Sequence, residues 1–538
     1  MSHLLSAIHL AHLASLKGAS SRHQIALQKP RTIQDGKLKH LLAANSQCDY
    51  GKKFRFDAIQ SVKQYQQRVP IVDYQDITPW INRIENGEDN VLTGSPVIML
   101  EPSGGSTATN KYIPYTKELL SEFSAATDPW IHSVYSHYPL RGSQSYWSIS
   151  LAKQGQRQTT AGVRIGFDDD TEYFDPLSRW ALKKMMAVPS SVAFAADMES
   201  WRQQTCVHLL AARDLGLFSV WSPTYLTLLM EHIARHFKQL LFELPVAQRA
   251  EILQAVNQQG MITGEALWPN LKIISVWTDS IAAQFLPSLQ KWFPHTPIQG
   301  KGLLATEGVV SSPITCPRPI AAAEQNNTAK YGECALAVNS HFLEFIDLAR
   351  PTRTPLLAHE LKVGAQYSPL LSTAGGLYRY HLKDVITCTG LHFNTPTIRF
   401  DGKLDRVSDV CGEKIHSQQV EHALHKAYLE IPSQVHFAML SPDLKTAPPQ
   451  YYLYIEADLS ANQEQVVTEH VENYLLTGHH YRTCRNLGQL GPVKLQRVKD
   501  GWSTYQKTLV DGGQRAGDIK PTYLDTRYNW REVFTASI

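Results

Sequence analysis

The stretch from Gly375 to Leu424 constrains the fold more than any other, because it combines strand, break and helix signals within one short segment. Gly375 and Gly376 allow a turn before a short aromatic strand, Leu377 to Tyr380. A second apolar run ends at Phe400 and meets a polar, glycine-containing break. These signals predict β-structure up to the break.

The residues after the break have a helical pattern. Ser417 can cap a helix whose apolar positions recur at helical spacing, and Pro432 would end it. A change from strands to a helix across a polar break is typical of a domain boundary. We predict a large domain at residues 1–402, a hinge at residues 403–405 and a small domain at residues 406–538.

Composition limits the class of protein. The length of 538 residues accommodates one large and one small domain, and a hydrophobic fraction of 43% provides a sizeable core. The net charge of +3 gives no indication of nucleic-acid binding. Seven cysteines without a CxxC pair favour reduced thiols in a cytoplasm. No stretch approaches the ~18 consecutive apolar residues of a spanning helix, so we expect a cytoplasmic monomer without membrane partners.

The N-terminal segment predicts an amphipathic helix. Leu5, Ile8, His12 and Leu16 recur at helical spacing. We expect this face to dock onto the main body of the protein, with membrane binding as the alternative. The segment's three histidines fit a solvated helix face better than a metal site.

A Ser/Gly/Thr-rich loop follows a short apolar run at residues 97–100. After the loop, Thr116 can cap a helix. A strand, a small polar loop and a helix form an arrangement that binds phosphate through backbone N–H groups and hydroxyls. The loop lacks the GxxxxGK[ST] pattern of a Walker motif, and a flexible linker has a similar composition.

The central region alternates helix and strand signals. Pro223 opens a long predicted helix with one apolar face, and residues 272–277 read as a strand that is followed by a helix at 281–293. This alternation predicts a mostly parallel sheet. Residues 331–347 predict a hairpin around Asn339 and Ser340. Beyond the hinge, a strand near Tyr451 and a helix at 464–476 predict an α+β domain.

The run GLYRYHLKDVITCTG, followed by HFNTPTIRF, closely resembles the auxin-responsive acyl-acid amido synthetases, the Gretchen Hagen family of adenylate-forming ligases. The resemblance is strongest over residues 300–425 and 97–114. It implies an α/β fold, with a large N-terminal adenylation domain of parallel sheets and a β-rich section, and a small α+β C-terminal lid that rotates about the hinge.

The resemblance implies nucleotide-binding residues around the aromatic strand. Asp384 would hold the ribose hydroxyls of ATP, because a carboxylate accepts two hydroxyl donors. The alternative is an ion pair of Asp384 with a neighbouring basic residue on a surface turn. Four more residues would belong to the nucleotide site: Tyr378, Arg379, Arg399 and Lys403.

The loop matches the family's phosphate loop, with three departures, of which Pro102 is the first. Gly105 stands where a hydroxyl residue is expected and Ala108 where glycine is expected, while Lys111 and Pro114 keep the register. The predicted phosphate-binding residues are Ser103, Gly104, Gly105, Ser106 and Thr107.

The remaining implied residues are catalytic. Thr306 would contact the α-phosphate, and Glu307 would hold Mg²⁺, since a carboxylate beside phosphates needs an intervening cation. Leu303 stands where relatives often carry an aromatic residue for adenine. Lys520 would lie over the adenylating phosphate, although a lysine beside a proline is also a common solvated loop charge.

The implied activity is ATP- and Mg²⁺-dependent adenylation of a small carboxylic acid, followed by acyl transfer to an amine, expected to be an amino acid. Two alternatives remain open. The acyl group could pass to coenzyme A to form a thioester, or the chain could be a catalytically degenerate nucleotide-binding regulatory module, as Gly105, Ala108 and Leu303 would suit. Glu307 and Asp384 argue against the degenerate module.

Overall fold

The computed structural model describes most of the chain in two compact units. The described residues are 2–103, 111–148, 158–166, 176–314, 331–351, 354–404, 407–408, 410, 413–486, 490–512, 514, 516, 519–527 and 529–535. Unit 1 comprises Met1–Asp279, Leu286–Leu382 and Ile386–Phe400, and unit 2 comprises Ser280–Phe285, Lys383–Val385 and Asp401–Ile538. The large domain at residues 1–402, the hinge at 403–405 and the small domain at 406–538 stay predictions, and Asp405 lies outside the described residues.

Helices make up much of unit 1. They are α1 (Ser2–Gln28), α2 (Pro30–Ala44), α3 (Asp49–Lys53), α4 (Val62–Arg68), α5 (Tyr74–Glu85), α6 (Lys117–His137), α7 (Pro176–Met185), α8 (Met198–Ala211), α9 (Pro223–Arg235), α10 (Phe237–Phe242), α11 (Val246–Gln259), α12 (Gly264–Leu267) and α13 (Leu286–Trp292).

The strands of unit 1 are mostly short. They are β1 (Met99–Ser103), β2 (Lys111–Tyr115), β3 (Gln144–Trp147), β4 (Leu215–Ser219), β5 (Ile273–Val276), β6 (Ile298–Gly300), β7 (Leu304–Ala305), β8 (Gly308–Val309), β9 (Ser311–Pro313), β10 (Cys334–Leu336), β11 (Phe342–Asp347), β12 (Leu356–Leu357), β13 (Gln366–Ser372), β14 (Tyr380–His381), β15 (Asp384–His392) and β16 (Thr395–Lys403), the last two extending into unit 2.

Two sheets organise unit 1. Strands β3, β4, β5 and β6 form a parallel sheet in that order, as the alternating pattern predicted. The second sheet has the order β12-β11-β13-β15-β16-β10-β9, with β14 beside β13, and its registers are antiparallel. The predicted fold class, an α/β body with a parallel sheet, a β-rich section and a C-terminal domain, is confirmed.

The helix patterns predicted the buried apolar faces, but the expected solvated face is wrong for His9 and His12, which are buried and hydrogen-bonded. Leu5, Ile8 and Leu16 of α1 are buried in one cluster with residues of α6 and α7, so docking onto the body is confirmed. The apolar face that starts at Pro223 is also core, although the chain divides it into α9 and α10 at His236. The region predicted as one helix after β5 is a 3₁₀ turn, Ser280–Phe285, followed by α13.

Two strand predictions are wrong. Leu377 to Arg379 are not in a strand, because Arg379 adopts a left-handed backbone (φ 51°), and only Tyr380 and His381 pair with β13. The hairpin around Asn339 and Ser340 does not form either. β10 pairs with β9 and β16, and β11 pairs with β12 and β13. The side chains of Asn339 and Ser340 instead donate to carbonyls of α6, which directs the two strands to different neighbours.

Glu122 of α6 joins segments that are distant in sequence. Its Oε2 lies 2.9 Å from Nδ1 of His341 and accepts from the backbone N–H of Ala374 at 2.9 Å. Its Oε1 lies 4.0 Å from Nζ of Lys37 on α2. One carboxylate therefore fixes α6 against three other parts of unit 1.

Unit 2 contains a small α+β fold. Its strands are β17 (Val407–Ser408), β18 (Ile415–His416), β19 (Phe437–Asp443), β20 (Gln450–Glu456) and β21 (Lys494–Arg497), and its helices are α14 (Ser417–Tyr428), α15 (Ala461–Leu475), α16 (His479–Asn486), α17 (Gly501–Asp511) and α18 (Trp530–Thr535). β19 and β20 are antiparallel, β21 runs parallel to β20, and the apolar face of α14 packs in their core. Helix α14 is capped by His416 rather than Ser417, and it ends before Pro432.

Helices of the described ranges are either too short or too polar to cross a lipid bilayer.

Candidate active site

A hydroxyl group ties the strand that follows the predicted phosphate loop to the Thr306–Glu307 pair. β1 and β2 form an antiparallel hairpin, from Met99 opposite Tyr115 to Ser103 opposite Lys111, so the loop joins two strands and does not lead directly into a helix as predicted. Thr306 and Glu307 form the turn between β7 and β8. The Tyr115 hydroxyl donates to the carbonyl oxygen of Thr306 at 2.7 Å, which fixes the turn against the strand that leaves the loop.

The turn also depends on the glycine that follows it. A Cβ added at Gly308 would lie 2.8 Å from Nε2 of His341, and the glycine has a φ of 156°. The ring of His341 cannot move aside readily, because it is buried and held by Glu122. Glycine is therefore needed here so that Thr306 and Glu307 can approach the core of the unit.

The Glu307 carboxylate is close enough to affect the pKa of Tyr74, which is hydrogen-bonded to the strand that follows the loop. Burial raises the pKa of Tyr74 to about 12, and the Glu307 carboxylate is one of the smaller causes of that rise. The Tyr74 hydroxyl accepts from the N–H of Tyr112 at 2.6 Å, and Nζ of Lys111 lies 5.6 Å from the Tyr74 ring centroid. The structure thus brings Lys111 and Glu307 to the same tyrosine.

Asp384 and Lys403 meet where β15 begins and β16 ends. Nζ of Lys403 lies 2.6 Å from Oδ1 of Asp384, whose side chain is 2% exposed. Lys383 adopts a left-handed backbone, and its carbonyl accepts from the N–H of Leu404 at 2.6 Å, so the two chain segments are held side by side. The structure therefore brings two of the predicted nucleotide-binding residues together, as a buried carboxylate with a half-buried ammonium.

Tyr378 and Arg379 are engaged inside unit 1. The Tyr378 hydroxyl donates to the Leu92 carbonyl at 2.7 Å. Arg379 is 4% exposed, and its guanidinium donates to both carboxylate oxygens of Glu344 and to the carbonyls of Gln66 and Val69. These contacts give both side chains a structural role, and their role toward a nucleotide stays a prediction.

The other predicted residues are exposed, or lie partly or wholly outside the described residues. Lys520 is exposed, on a segment of unit 2 that is anchored by the pairing of Tyr523 and Asp525 with Leu440. Arg399 is exposed on β16. Gly104, Gly105, Ser106 and Thr107 lie outside the described residues, and of Ser103 only the backbone is described.

A cluster of tryptophans at the parallel sheet was not predicted. Lys301 follows β6, and its Nζ lies 4.8 Å from the ring centroids of Trp130 and Trp221 and 5.7 Å from that of Trp147. It also donates to Oγ of Ser219 at 2.7 Å. Trp147 and Ser219 end β3 and β4, so the group lies at the carboxyl edge of the sheet, where α/β folds commonly bind ligands. Tryptophans at successive strand ends were the available sequence signal.

Comparison with known proteins identifies the family of this chain. Three sequence profiles match this chain: the GH3 family N-terminal domain at residues 21–244, the central domain at 334–403 and the C-terminal domain at 418–527. The chain belongs to the GH3 family.

Curated GH3 proteins resemble this one along most of its length. It is 20% identical to the 4-substituted benzoates-glutamate ligase GH3.12 of Arabidopsis thaliana, covering 91% of this chain and 92% of the relative. It is 24% identical to the jasmonoyl–L-amino acid synthetase GH3.5 of Oryza sativa subsp. japonica, covering 89% and 88%. The structure of the GH3.15 acyl acid amido synthetase with 2,4-DB superposes with a TM-score of 0.82 at 19% identity, covering 97% and 96%.

The candidate residues are distributed over the three GH3 profiles and the segment between the first two. The N-terminal profile contains the loop and the three tryptophans that surround Lys301, the central profile contains Tyr378 through Lys403, and the C-terminal profile contains Lys520. Thr306, Glu307 and Lys301 itself lie between the first two profiles.

Proposed function

We propose that this GH3 family member is an acyl-acid amido synthetase that adenylates a carboxylic acid with ATP and transfers the acyl group to an amino acid. The observation that carries the proposal is the bond from Tyr115 to the Thr306 carbonyl, within a chain that belongs to this family. That bond holds a phosphate-loop hairpin and a Thr–Glu turn in one fixed arrangement. Preorganised polar groups of this kind supply most of the rate in phosphoryl and adenylyl transfer.

The residues present fit ATP and Mg²⁺. The half-buried carboxylate of Glu307 offers hard oxygen ligands to Mg²⁺, and the nearby Lys111 offers positive charge to phosphates. The buried carboxylate of Asp384 fits two ribose hydroxyl donors, with Lys403 fixing its position. When bound, Mg²⁺ would neutralise phosphate charge as the acid's carboxylate approaches.

The proposed reaction has two steps, adenylation of the acid and transfer of the acyl group. An oxygen of the acid's carboxylate bonds to the α-phosphorus of ATP, and the bond to pyrophosphate breaks. The amine of the amino acid next bonds to the acyl carbon and loses a proton, and AMP leaves. The protein's residues orient the reactants and balance charge, and Lys520 would act on the phosphate in the first step only.

We infer that the acid binds at the carboxyl edge of the parallel sheet, beside the Lys301 and tryptophan cluster. The indole rings of Trp130, Trp147 and Trp221 provide flat apolar surface, which suits an acid with an aromatic or alicyclic body. The fixed ammonium of Lys301 would orient the carboxylate. Lys301→Met, which keeps an unbranched side chain one atom shorter but removes the charge, should raise the KM for the acid much more than the KM for ATP.

The test of the function is ATP–pyrophosphate exchange over a panel of benzoic, indolic, alicyclic and aliphatic acids. Exchange that requires an acid supports adenylation, and ATP binding without exchange with any acid would indicate the regulatory module. AMP release is then measured with amino acids and with coenzyme A. Release that requires an amino acid supports the proposal, whereas release that requires coenzyme A would make the chain a thioester-forming ligase.

A further inference from the structure

Two histidines and a glutamate converge on helices α8 and α9 of unit 1, and none of them is among the candidate-site residues. Glu199 lies in the first turn of α8, His232 lies in the last turn of α9, and His236 follows that helix. One ligand atom from each of the three lies within 4.8 Å of the other two. We call these residues the His–Glu cluster.

His232 is the least satisfied member of the cluster. Its side chain is only 4% exposed, and its Nε2 is buried without a hydrogen-bond partner. Its Nδ1 lies 3.9 Å from Oε1 of Glu199, beyond hydrogen-bond distance. A buried ring nitrogen without a hydrogen bond is costly. Nε2 is in that state, and Nδ1 is the nitrogen that faces the Glu199 carboxylate.

The spacing of the two histidines suits a metal ion. His232 and His236 are four residues apart, which places them on one helical face, and their ring centroids are 4.5 Å apart.

We propose that the His–Glu cluster binds a divalent transition-metal ion of the zinc class and that this ion clamps α8 to α9. Two imidazoles with one carboxylate suit Zn²⁺ better than Mg²⁺, which prefers oxygen ligands. With Nδ1 of His232 as the ligand, a tetrahedral zinc ion needs ligand atoms about 3.3 Å apart. The 3.9 Å distance from Nδ1 to Oε1 of Glu199 must then shorten by about 0.6 Å, and any pair of ligand atoms at the 4.8 Å limit by about 1.5 Å. Glu199 is 65% exposed, and its side chain can rotate to close the gap.

Charged neighbours set the strength of this site. Nη1 of Arg202 lies 3.1 Å from Oε2 of Glu199, so one carboxylate oxygen faces the arginine and the other faces His232. Arg202 and Arg235 both place positive charge near the His232 ring. The positive charges of the arginines therefore weaken cation binding. Removal of one of these charges should strengthen it.

The experiment is a titration of the untagged full chain, stripped with chelator, with Zn²⁺ followed by calorimetry and with Co²⁺ followed by visible absorption. We expect one equivalent of Zn²⁺, a tetrahedral Co²⁺ spectrum and a melting temperature that rises with Zn²⁺ concentration. His236→Gln and Glu199→Gln should each weaken binding by at least about 10-fold, the lower range for losing a group that merely supports a ligand. His295→Gln, the same change at an exposed position outside the cluster, should leave binding unchanged.

Arg202→Gln provides the opposite test, because it removes a positive charge and releases the second oxygen of Glu199. We expect it to tighten Zn²⁺ binding, a result that a misfolded variant would not give. The proposal is overturned if no stoichiometric binding occurs, or if Zn²⁺ binds equally well to His236→Gln, Glu199→Gln and the His295→Gln control. These measurements contain no ATP, acid or amine, so their outcome is independent of the proposed activity.

Discussion

Replacing Arg379 with methionine should destabilise unit 1 strongly. Arg379 and Glu344 are 4% and 1% exposed, and they form a buried ion pair with N–O distances of 3.0–3.2 Å. The guanidinium also satisfies the carbonyls of Gln66 and Val69 at 2.9 and 2.7 Å. Among the described side chains, methionine would leave the Glu344 carboxylate with Nε2 of Gln66, at 3.0 Å, as its donor. Breaking a buried pair from one side costs about 3–5 kcal/mol.

The assay is urea-induced unfolding followed by tryptophan fluorescence, with Arg350→Met as the matched control. Arg350 also forms an ion pair in unit 1, with Asp347 at 2.9 Å, but its side chain is 48% exposed. Its loss should cost at most about 1 kcal/mol. Equal destabilisation by the two substitutions would refute the reasoning. ATP affinity of the folded Arg379→Met fraction would then show whether the arginine serves the nucleotide.

The destabilisation should also depend on pH. Burial raises the pKa of Glu344, and Arg379 is the largest influence that opposes this rise. Without the arginine the folded-state pKa rises further above the unfolded value, so folded Arg379→Met takes up a proton in mildly acidic solution. Its stability is then highest at pH values below the unfolded pKa and falls as the pH rises through the folded pKa. Adding Glu344→Gln should recover part of the lost stability at neutral pH and remove this pH dependence.

The proposed site yields three further predictions. Asp384→Ala should weaken ATP binding by roughly 1.5–3 kcal/mol, measured by calorimetry on protein that remains folded, and unchanged affinity would remove Asp384 from the site. Glu307→Gln should abolish pyrophosphate exchange while acid binding is retained, and near-normal exchange at low Mg²⁺ would contradict the assignment. Lys520→Ala should slow acyl-adenylate formation by about 10²-fold or more, but aminolysis of synthetic acyl-AMP much less. Equal slowing of both steps would assign Lys520 to stability or general phosphate binding.

Local periodicity was sufficient to predict the buried apolar faces of the helices but not the helix boundaries, since the helix from Pro223 is divided in two and the helix after β5 is preceded by a 3₁₀ turn. The faces of α1 and α9 were correct because an apolar stripe at helical spacing is buried whatever packs on it. The partners of β10 and β11 could not be predicted, because strand pairing depends on residues far away in sequence. Here the side chains of Asn339 and Ser340, which lie between β10 and β11, donate hydrogen bonds to α6, and the two strands pair with other strands.

The candidate site was predictable in part, because local motifs indicate candidate residues but not the distant residues that they contact. The family motif located Asp384, and the structure adds Lys403 as its partner. The motif could not reveal that the neighbouring Arg379 is turned toward Glu344, because a letter in a motif carries no side-chain direction. Lys301, Trp147 and Trp221 lie at or just after strand ends that are far apart in the chain, and Trp130 lies on α6, so only the folded parallel sheet and this helix bring them together.

The carboxylate of Glu122 has a consequence for dissecting the molecule into fragments. It belongs to the N-terminal GH3 profile, whereas His341 and Ala374, its partners in hydrogen bonding, belong to the central one. One hydrophobic core likewise contains residues from both profiles. A recombinant piece cut at residue 244 would leave Glu122 without these partners and would expose apolar surface, so it should be insoluble or unfolded. The sequence profiles mark stretches of shared ancestry, and the smallest autonomous folding unit of this region extends across both of them.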